Sequence, residues 1–236
     1  MSEYDNDGRT NVVMCWSGGK NSAFALWRLL THRSFRVTGL LTTFTEGLDR
    51  VSGQMVPRVL VEAQAEAIGI PLFRLWLPHN CPERVYEHRF MEGLDQLKAR
   101  GAQAVAFGDI WVEHERLYRE DLANAVEMEP LFPIWGEHTM VAARTIVHSG
   151  FNATIVNVNT RMIPAAVIGQ SYNDTFLRNL HRDTDPCGEK GEFHTFVHDG
   201  PIFHHPVHTL KGNVREWGGH LLQELLPFAQ PGLLEG

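Results

Sequence analysis

Residues 11–22 read NVVMCWSGGKNS, a short apolar run closed by a glycine-rich polar turn, and SAFALWRLLT follows at 22–31 with apolar residues at helical spacing. A buried strand over 11–16 and a helix over 22–31 put the turn Ser17-Gly18-Gly19-Lys20-Asn21-Ser22 at the carboxyl end of a strand. That is where an open α/β sheet presents its ligand crevice. Two glycines let the backbone fold sharply and aim several N–H groups inward, while the helix behind them adds its positive end. Lys20 contributes a movable positive charge, and Ser17 and Ser22 contribute hydroxyl donors, so the turn suits a phosphate. A turn that only reversed the chain would need the glycines but not the serines and the lysine. Two commoner phosphate loops are excluded. A Walker loop requires Gly at 14 and Ser or Thr at 21, where Met14 and Asn21 stand, and the dinucleotide fingerprint fails because the chain has no Gly-x-Gly.

Outward from this turn, apolar runs alternate with stretches of helical length. Strands are expected over 37–44, 72–77, 104–107 and 131–135, and helices over 59–68, 83–100, 112–126 and 139–148. Pro57 suits a helix start, Gly69, Gly101 and Gly150 suit helix ends, and the polar segment 45–56 reads as a mobile loop. Strands alternating with helices predict a doubly wound parallel sheet. The pattern changes after Gly150. A strand over 154–158 and an alternating run, FHTFV at 193–197, sit in a segment rich in Gly, Pro, His and Asp, read as a smaller α+β lobe. The expected organisation is a nucleotide-binding domain over 8–150, a substrate lobe over 151–226 and a tail over 227–236, frayed from 230.

Composition narrows the function classes. The 236 residues are 43% hydrophobic with a net charge of −7, which fits a soluble globular protein and argues against nucleic acid as partner. No apolar run has the length of a membrane span, and the acidic start lacks the basic end of a secretion signal. Three cysteines far apart, with no Cys-x-x-Cys, predict neither a disulfide framework nor a cysteine-based zinc site, and a reducing cytoplasm follows.

SGGKNS at the end of a first strand resembles the SGGxDS signature of the PP-loop ATP pyrophosphatases, a HUP-like fold. Three further segments are similar to its diphthine–ammonia ligase-related branch: Phe107-Gly108-Asp109-Ile110, Pro133-Ile134-Trp135-Gly136, and above all DPCGEKGEFHTFVHDGPIF at 185–203. The resemblance spans about residues 11–205. It implies binding of ATP with Mg²⁺ and cleavage between the α and β phosphates. A substrate carboxylate attacks the α-phosphate, pyrophosphate leaves, and ammonia displaces AMP from the acyl-adenylate to give an amide. The acceptor is a small molecule or a protein carboxylate, and a homo-oligomer is compatible with the resemblance.

It further implies a nucleotide site of Ser17, Gly18, Gly19, Lys20, Asn21, Ser22, Thr43, Gly108 and Asp109. Lys20, Glu189 and Glu192 stand as catalytic candidates, and Thr195 as a hydroxyl for substrate. Carboxylates at Glu189 and Glu192 suit a metal, an ammonium or a proton acceptor, and the residues alone do not choose. The family's usual Asp is Asn21 here, which keeps the size and the oxygen and drops the charge; an Asn21→Asp variant is expected to retain or improve ATP cleavage. An alternative of another class is a nucleotide-binding sensor without turnover, for which Asn21 is the sequence feature. A tRNA-thiolating relative would want paired cysteines and a basic surface, both absent from the sequence. Five histidines fall within 194–208, but His194 and His198 lie on an alternating, strand-like run broken by Gly200 and Pro201, so they read as solvated or hydrogen-bonded and no metal ligands are assigned.

Overall fold

The computed structural model describes residues 8–228; the acidic start and the tail expected to fray at 230–236 lie outside them. In chain order the first elements are β1 (Thr10–Cys15), α1 (Lys20–Thr31), β2 (Phe35–Thr45), β3 (Arg50–Val51), α2 (Arg58–Ile68), β4 (Leu72–Leu77) and α3 (Glu83–Lys98). They are followed by β5 (Ala104–Ala106), α4 (Glu113–Ala125), β6 (Glu129–Leu131) and α5 (Thr139–His148). Five parallel strands form one sheet in the order β4–β2–β1–β5–β6. The order reverses at β1, which pairs with β2 on one side and β5 on the other, so the crevice at the carboxyl end of β1 is the topological switch point.

Why the sheet is doubly covered is visible in the alternation along its strands. Val12 and Met14 of β1 and Ala104 and Ala106 of β5 enter one core, which they share with Phe24 of α1, Leu60 of α2 and Ala142 of α5. Val13 and Val105 face the other way, onto Phe90 and Leu94 of α3 and Leu122 of α4. Strands buried on both faces are continuous apolar runs, as read in the sequence.

The rest of the chain forms β7 (Asn152–Asn159), the short α6 (Asp174–Asn179), β8 (Phe193–Asp199), β9 (Thr209–Trp217) and β10 (His220–Pro227). Its four strands make an antiparallel sheet in the order β8–β7–β10–β9. The inner face of this sheet, with Ile155, Phe193, Phe196 and Leu225, joins the same core as α1 and α2. Among the described residues no helix is long and apolar enough to cross a membrane.

Several expectations need correction. Helix α1 starts at Lys20, two residues before the expected Ser22, so Lys20, Asn21 and Ser22 form its first turn. Segment 45–56 is not a plain loop: Arg50 and Val51 fold back antiparallel on Thr45 and Phe44. The Ser52 hydroxyl lies 3.1 Å from that of Thr45, and Ser52 N–H donates to Thr43 O at 3.0 Å. Strand β6 is Glu129–Leu131, and the expected strand positions 132–135 instead make a turn closed by Trp135 N–H to Phe132 O. Strands β9 and β10 lie where the sequence reading assigns no strand. Their signal is the Gly218-Gly219 pair, with φ of 57° and 85°, the positive pair that a two-residue hairpin turn requires.

Those angles set an expected outcome. Gly218→Asn, which tolerates the left-handed region, should keep the stability measured by urea unfolding, whereas Gly218→Val should lose about 1–2 kcal/mol. Equal midpoints for the two variants would contradict the turn assignment.

Candidate functional site

The phosphate-type loop is built from both halves of the chain. Gly18, at φ 76°, carries the sharp turn, and a Cβ there would stand 2.6 Å from Gln64 Oε1. Gln64, with no exposed surface, donates from Nε2 to Gly18 O at 3.0 Å and to Val197 O at 2.6 Å, and accepts from Trp16 Nε1 at 3.1 Å. Val197 N–H donates to Gly18 O at 2.9 Å, so β8, paired with β7 on one edge, meets the loop on the other. The N-cap of α1 is Gly19, which offers no capping side chain and leaves the helix end facing the cleft. Ser17 Oγ lies 3.0 Å from Ser22 Oγ and accepts from Gly19 N–H at 3.3 Å. Lys20 N–H donates to Thr195 Oγ1 at 3.0 Å, which seats the start of α1 on β8, and Thr195 is buried at the floor of the cleft.

Around this loop lies a cleft of about 1740 Å³, walled by Thr43 of β2, by Gly108 and Asp109 after β5, by the loop 187–191 and by 193–195 of β8. Gly108 is required by contact: a Cβ would stand 3.0–3.2 Å from backbone atoms of Asn21 and Ser22. Asp109 is held by Arg119 of α4 at 2.9 Å, and the guanidinium lies over the Phe107 ring. Trp111 closes one rim, donating from Nε1 to Asp185 Oδ2 at 2.8 Å beneath the ammonium of Lys190.

Two expected catalytic groups are placed differently from the sequence reading. Lys20, expected as a movable cation, is 3% exposed. Its Nζ donates to Cys187 O at 2.5 Å and sits 4.7 Å from the Phe193 ring centre, and burial pulls its pKa down. Lys20 therefore ties α1 to the 185–192 loop. Glu192, expected beside Glu189 as a second reactive carboxylate, is 2% exposed and accepts the N–H groups of Asp185 and Lys190, both at 3.0 Å. It braces its own loop from inside.

Glu189 does reach the cleft. Oε1 accepts from Asn21 Nδ2 at 2.6 Å and Oε2 from Ile110 N–H at 2.8 Å. Burial lifts its pKa from 4.5 to about 7, against the opposing pull of the Ile110 N–H and the Lys20 charge. Among the described residues Asn21 Oδ1 is buried with no donor, and so is Oε1 of Gln54, whose amide hangs over Gly19. Each such orphan costs about 1–3 kcal/mol until a donor arrives. Gln54, Gln64 and Arg119 carry no sequence signal, since each acts across the fold. Burial pushes Cys15 and Cys187 up to about 12, so both stay thiols at neutral pH and neither is a nucleophile. His194 lines the cleft and is pushed down to about 4 by burial, whereas His198 bonds Thr154 at 2.8 Å. Among the described residues no three His, Cys, Asp or Glu side chains gather into a metal-holding group.

Comparison with known proteins places the chain among relatives. Residues 10–130 match the diphthamide synthase N-terminal domain and residues 138–222 the diphthamide synthase C-terminal domain. The diphthine–ammonia ligase of Danio rerio is 26% identical over 213 residues, covering 81% of this chain and 83% of that protein. That of Rattus norvegicus is 26% identical over the same length, covering 81% and 80%. The diphthine–ammonia ligase of Schizosaccharomyces pombe is also 26% identical, but the match covers only 34% of that longer protein. A solved structure, a predicted subunit of tRNA methyltransferase from Methanocaldococcus jannaschii, is 15% identical with a TM-score of 0.39, covering 62% of this chain and 80% of that one.

The titrations of Glu189 and His194 have opposite signs. Between pH 4.5 and about 7 the folded chain keeps a proton on Glu189 that the unfolded chain releases, so this group's contribution to stability falls as pH rises. Between about 4 and 6.5 the unfolded chain protonates His194 and the folded chain does not, so that contribution rises with pH. Glu189→Gln removes the first alone. Its unfolding free energy should climb more steeply than that of the wild type from about pH 5 to 7, and identical slopes would contradict the raised pKa.

Proposed function

Because the chain belongs to the diphthamide synthase family, matched over both domains, we propose that it is an ATP-dependent, AMP-forming ligase that amidates a carboxylate with ammonia. The observation that carries this reading is the loop itself: two glycines, two hydroxyls and the start of α1 at a cleft across which stands the carboxylate of Glu189, held by Asn21 and Ile110.

In this reading the Ser17–Ser22 turn and the first turn of α1 hold the triphosphate, with Ser17 turning its hydroxyl from Ser22 to a phosphate oxygen while Ser22 keeps its bond to Gly19 O at 2.9 Å. Thr43, Gly108 and Asp109 line the walls along the rest of the nucleotide. Bound with the nucleotide, Mg²⁺ would supply positive charge to the leaving pyrophosphate. The chain's own carboxylates are otherwise engaged: Asp109 with Arg119, Glu192 with its loop, and Glu189 with Asn21 and Ile110. The hydroxyl oxygens of Ser17 and Ser22 are the groups of the loop that would hold such a metal.

The acceptor carboxylate, free or on a protein, attacks the α-phosphorus. The bond to the bridging oxygen breaks, pyrophosphate leaves, and an acyl-adenylate remains. Thr195, whose oxygen already accepts from Lys20, donates its proton toward this intermediate. Ammonia then attacks the acyl carbon and AMP departs, with Glu189 as proton acceptor. We assign Lys20 to positioning, through Cys187, the loop that carries Glu189.

ATP incubated with the chain, Mg²⁺, ammonium and pooled carboxylic acids should give AMP and pyrophosphate by phosphorus NMR. Gly108→Ala, which pushes the first turn of α1, should weaken ATP binding in calorimetry by at least about tenfold. Formation of ADP and phosphate, or unchanged binding in the variant, would count against the reading.

A further inference from the structure

The ligase reading seats a triphosphate on the phosphate loop, and the inference drawn here rests on that reading. Several donors of the loop are already engaged. Gly19 N–H goes to Ser17 Oγ at 3.3 Å, Lys20 N–H to Thr195 Oγ1 at 3.0 Å and the Ser22 hydroxyl to Gly19 O at 2.9 Å. A donor with no such partner stands over the loop, on the segment 45–56 that folds back along β2. Gln54 lines the cleft, and a Cβ on Gly19 would lie 3.1 Å from its Nε2. Among the described residues neither end of that amide has a hydrogen bond: Oε1 is buried, and Nε2 is left to the cleft.

The backbone that carries Gln54 is fastened on every side. Ser52 N–H donates to Thr43 O of β2 at 3.0 Å, and the Ser52 hydroxyl lies 3.1 Å from that of Thr45. From the second sheet, Asn157 Nδ2 of β7 donates to Gly53 O at 3.1 Å, and Asn157 Oδ1 lies 2.7 Å from His220 Nδ1. Asp49 and Met55 stand at φ 55° and 63°, in the left-handed region that residues other than glycine rarely adopt. Asp49 is held there by two bonds from Arg58, at 2.6 and 3.1 Å, and Met55 O by Arg50 Nη1 at 2.8 Å. This fixation costs backbone strain and one orphaned oxygen, and its product is a bare amide N–H above Gly19. An apolar side chain in the same place would leave no orphan. Strain and an unsatisfied amide gathered at one wall of a cleft are the mark of a ligand clamp.

We infer that Gln54 is a phosphate-binding residue of this enzyme, its Nε2 donating to a phosphate oxygen seated on the loop at Gly19. The acceptor is an anion, so the bond is charge-assisted and stronger than the one that Nε2 makes to water in the open cleft. The donor is neutral, so it adds to the grip of the loop without adding a charge that pyrophosphate would have to leave behind. Because Gln54 is tied to β2 through Ser52 and to β7 through Gly53, the phosphate is held against both sheets at once.

The test uses the full chain, with inorganic pyrophosphate and Mg²⁺ as the first probe and adenosine as the second, both in calorimetry. The wild type should bind pyrophosphate saturably, and Gln54→Leu, which has no donor, at least about tenfold more weakly. Adenosine, which carries no phosphate, should bind both alike. The urea midpoint of Gln54→Leu should equal or exceed that of the wild type, because the orphaned oxygen is gone; a glutamine that served the fold alone would lower it. Gln54→Glu keeps the shape and presents an oxygen in place of the donor, so it should weaken pyrophosphate further, and it keeps the test open if Gln54→Leu does not fold. Pyrophosphate bound equally by the wild type and the variants overturns the assignment. So does a wild type that binds no pyrophosphate, or a loss of adenosine affinity as large as that of pyrophosphate. Neither probe can be turned over: pyrophosphate binding that depends on Gln54, without AMP formation from ATP, defeats the ligase reading alone, and AMP formation with pyrophosphate binding indifferent to Gln54 defeats this inference alone.

Discussion

The amide of Gln64 is the contact on which the site depends. It has no exposed surface, and its three hydrogen bonds join the end of β1 at Trp16, the turn at Gly18 and the second sheet at Val197. A loop whose glycines leave it free to rearrange is thereby fixed from behind, before any ligand arrives. The constraint also explains why Gly18 has no substitute, since the space for its Cβ is occupied by the Gln64 carbonyl. An anion-holding loop works by preorganised N–H groups, and the two sheets supply that preorganisation jointly.

Across the cleft the electrostatics divide. The loop side carries the hydroxyls of Ser17 and Ser22, bonded to each other and, through Ser22, to Gly19 O, at the positive end of α1. The side facing it, from 185 to 192, offers acceptors: Glu189, Asp185 and the Cys187 carbonyl. Lys20 spans the two, with its backbone on the loop side and its ammonium buried under Phe193 among the acceptors. A buried charge of this kind is tolerated because it is hydrogen-bonded and faced by aromatic rings. Its bond to Cys187 O holds the loop that carries Glu189.

The parallel sheet and the phosphate-type loop are legible in the sequence because both are local. Strand and helix periods lie within windows of a dozen residues, and the turn joins consecutive elements. Features that need distant partners are not legible in this way. Lys20 looks like a free cation until Cys187, 167 positions away, is brought against it. Glu192 and Glu189 are three residues apart and look equivalent, yet the loop turns one inward onto its own N–H groups and leaves the other to Asn21. Gln54 and Gln64 sit in no motif, and burial alone gives them their roles. The β9–β10 hairpin is a different case: its signal, Gly218-Gly219, is local, but the leucines of β10 come in adjacent pairs and β9 is mostly polar, so neither run shows the alternation of a strand.

Attack of an acceptor carboxylate on the α-phosphorus of ATP is the step from which the rest of the chemistry follows. Running the reaction with carboxylic acids labelled with ¹⁸O in unlabelled water, and weighing the nucleotide product, interrogates that step alone. The mechanism predicts AMP carrying one ¹⁸O from the acid, because amidation leaves the attacking oxygen on phosphorus. AMP whose new oxygen comes from water, or label found in inorganic phosphate beside ADP, would contradict it.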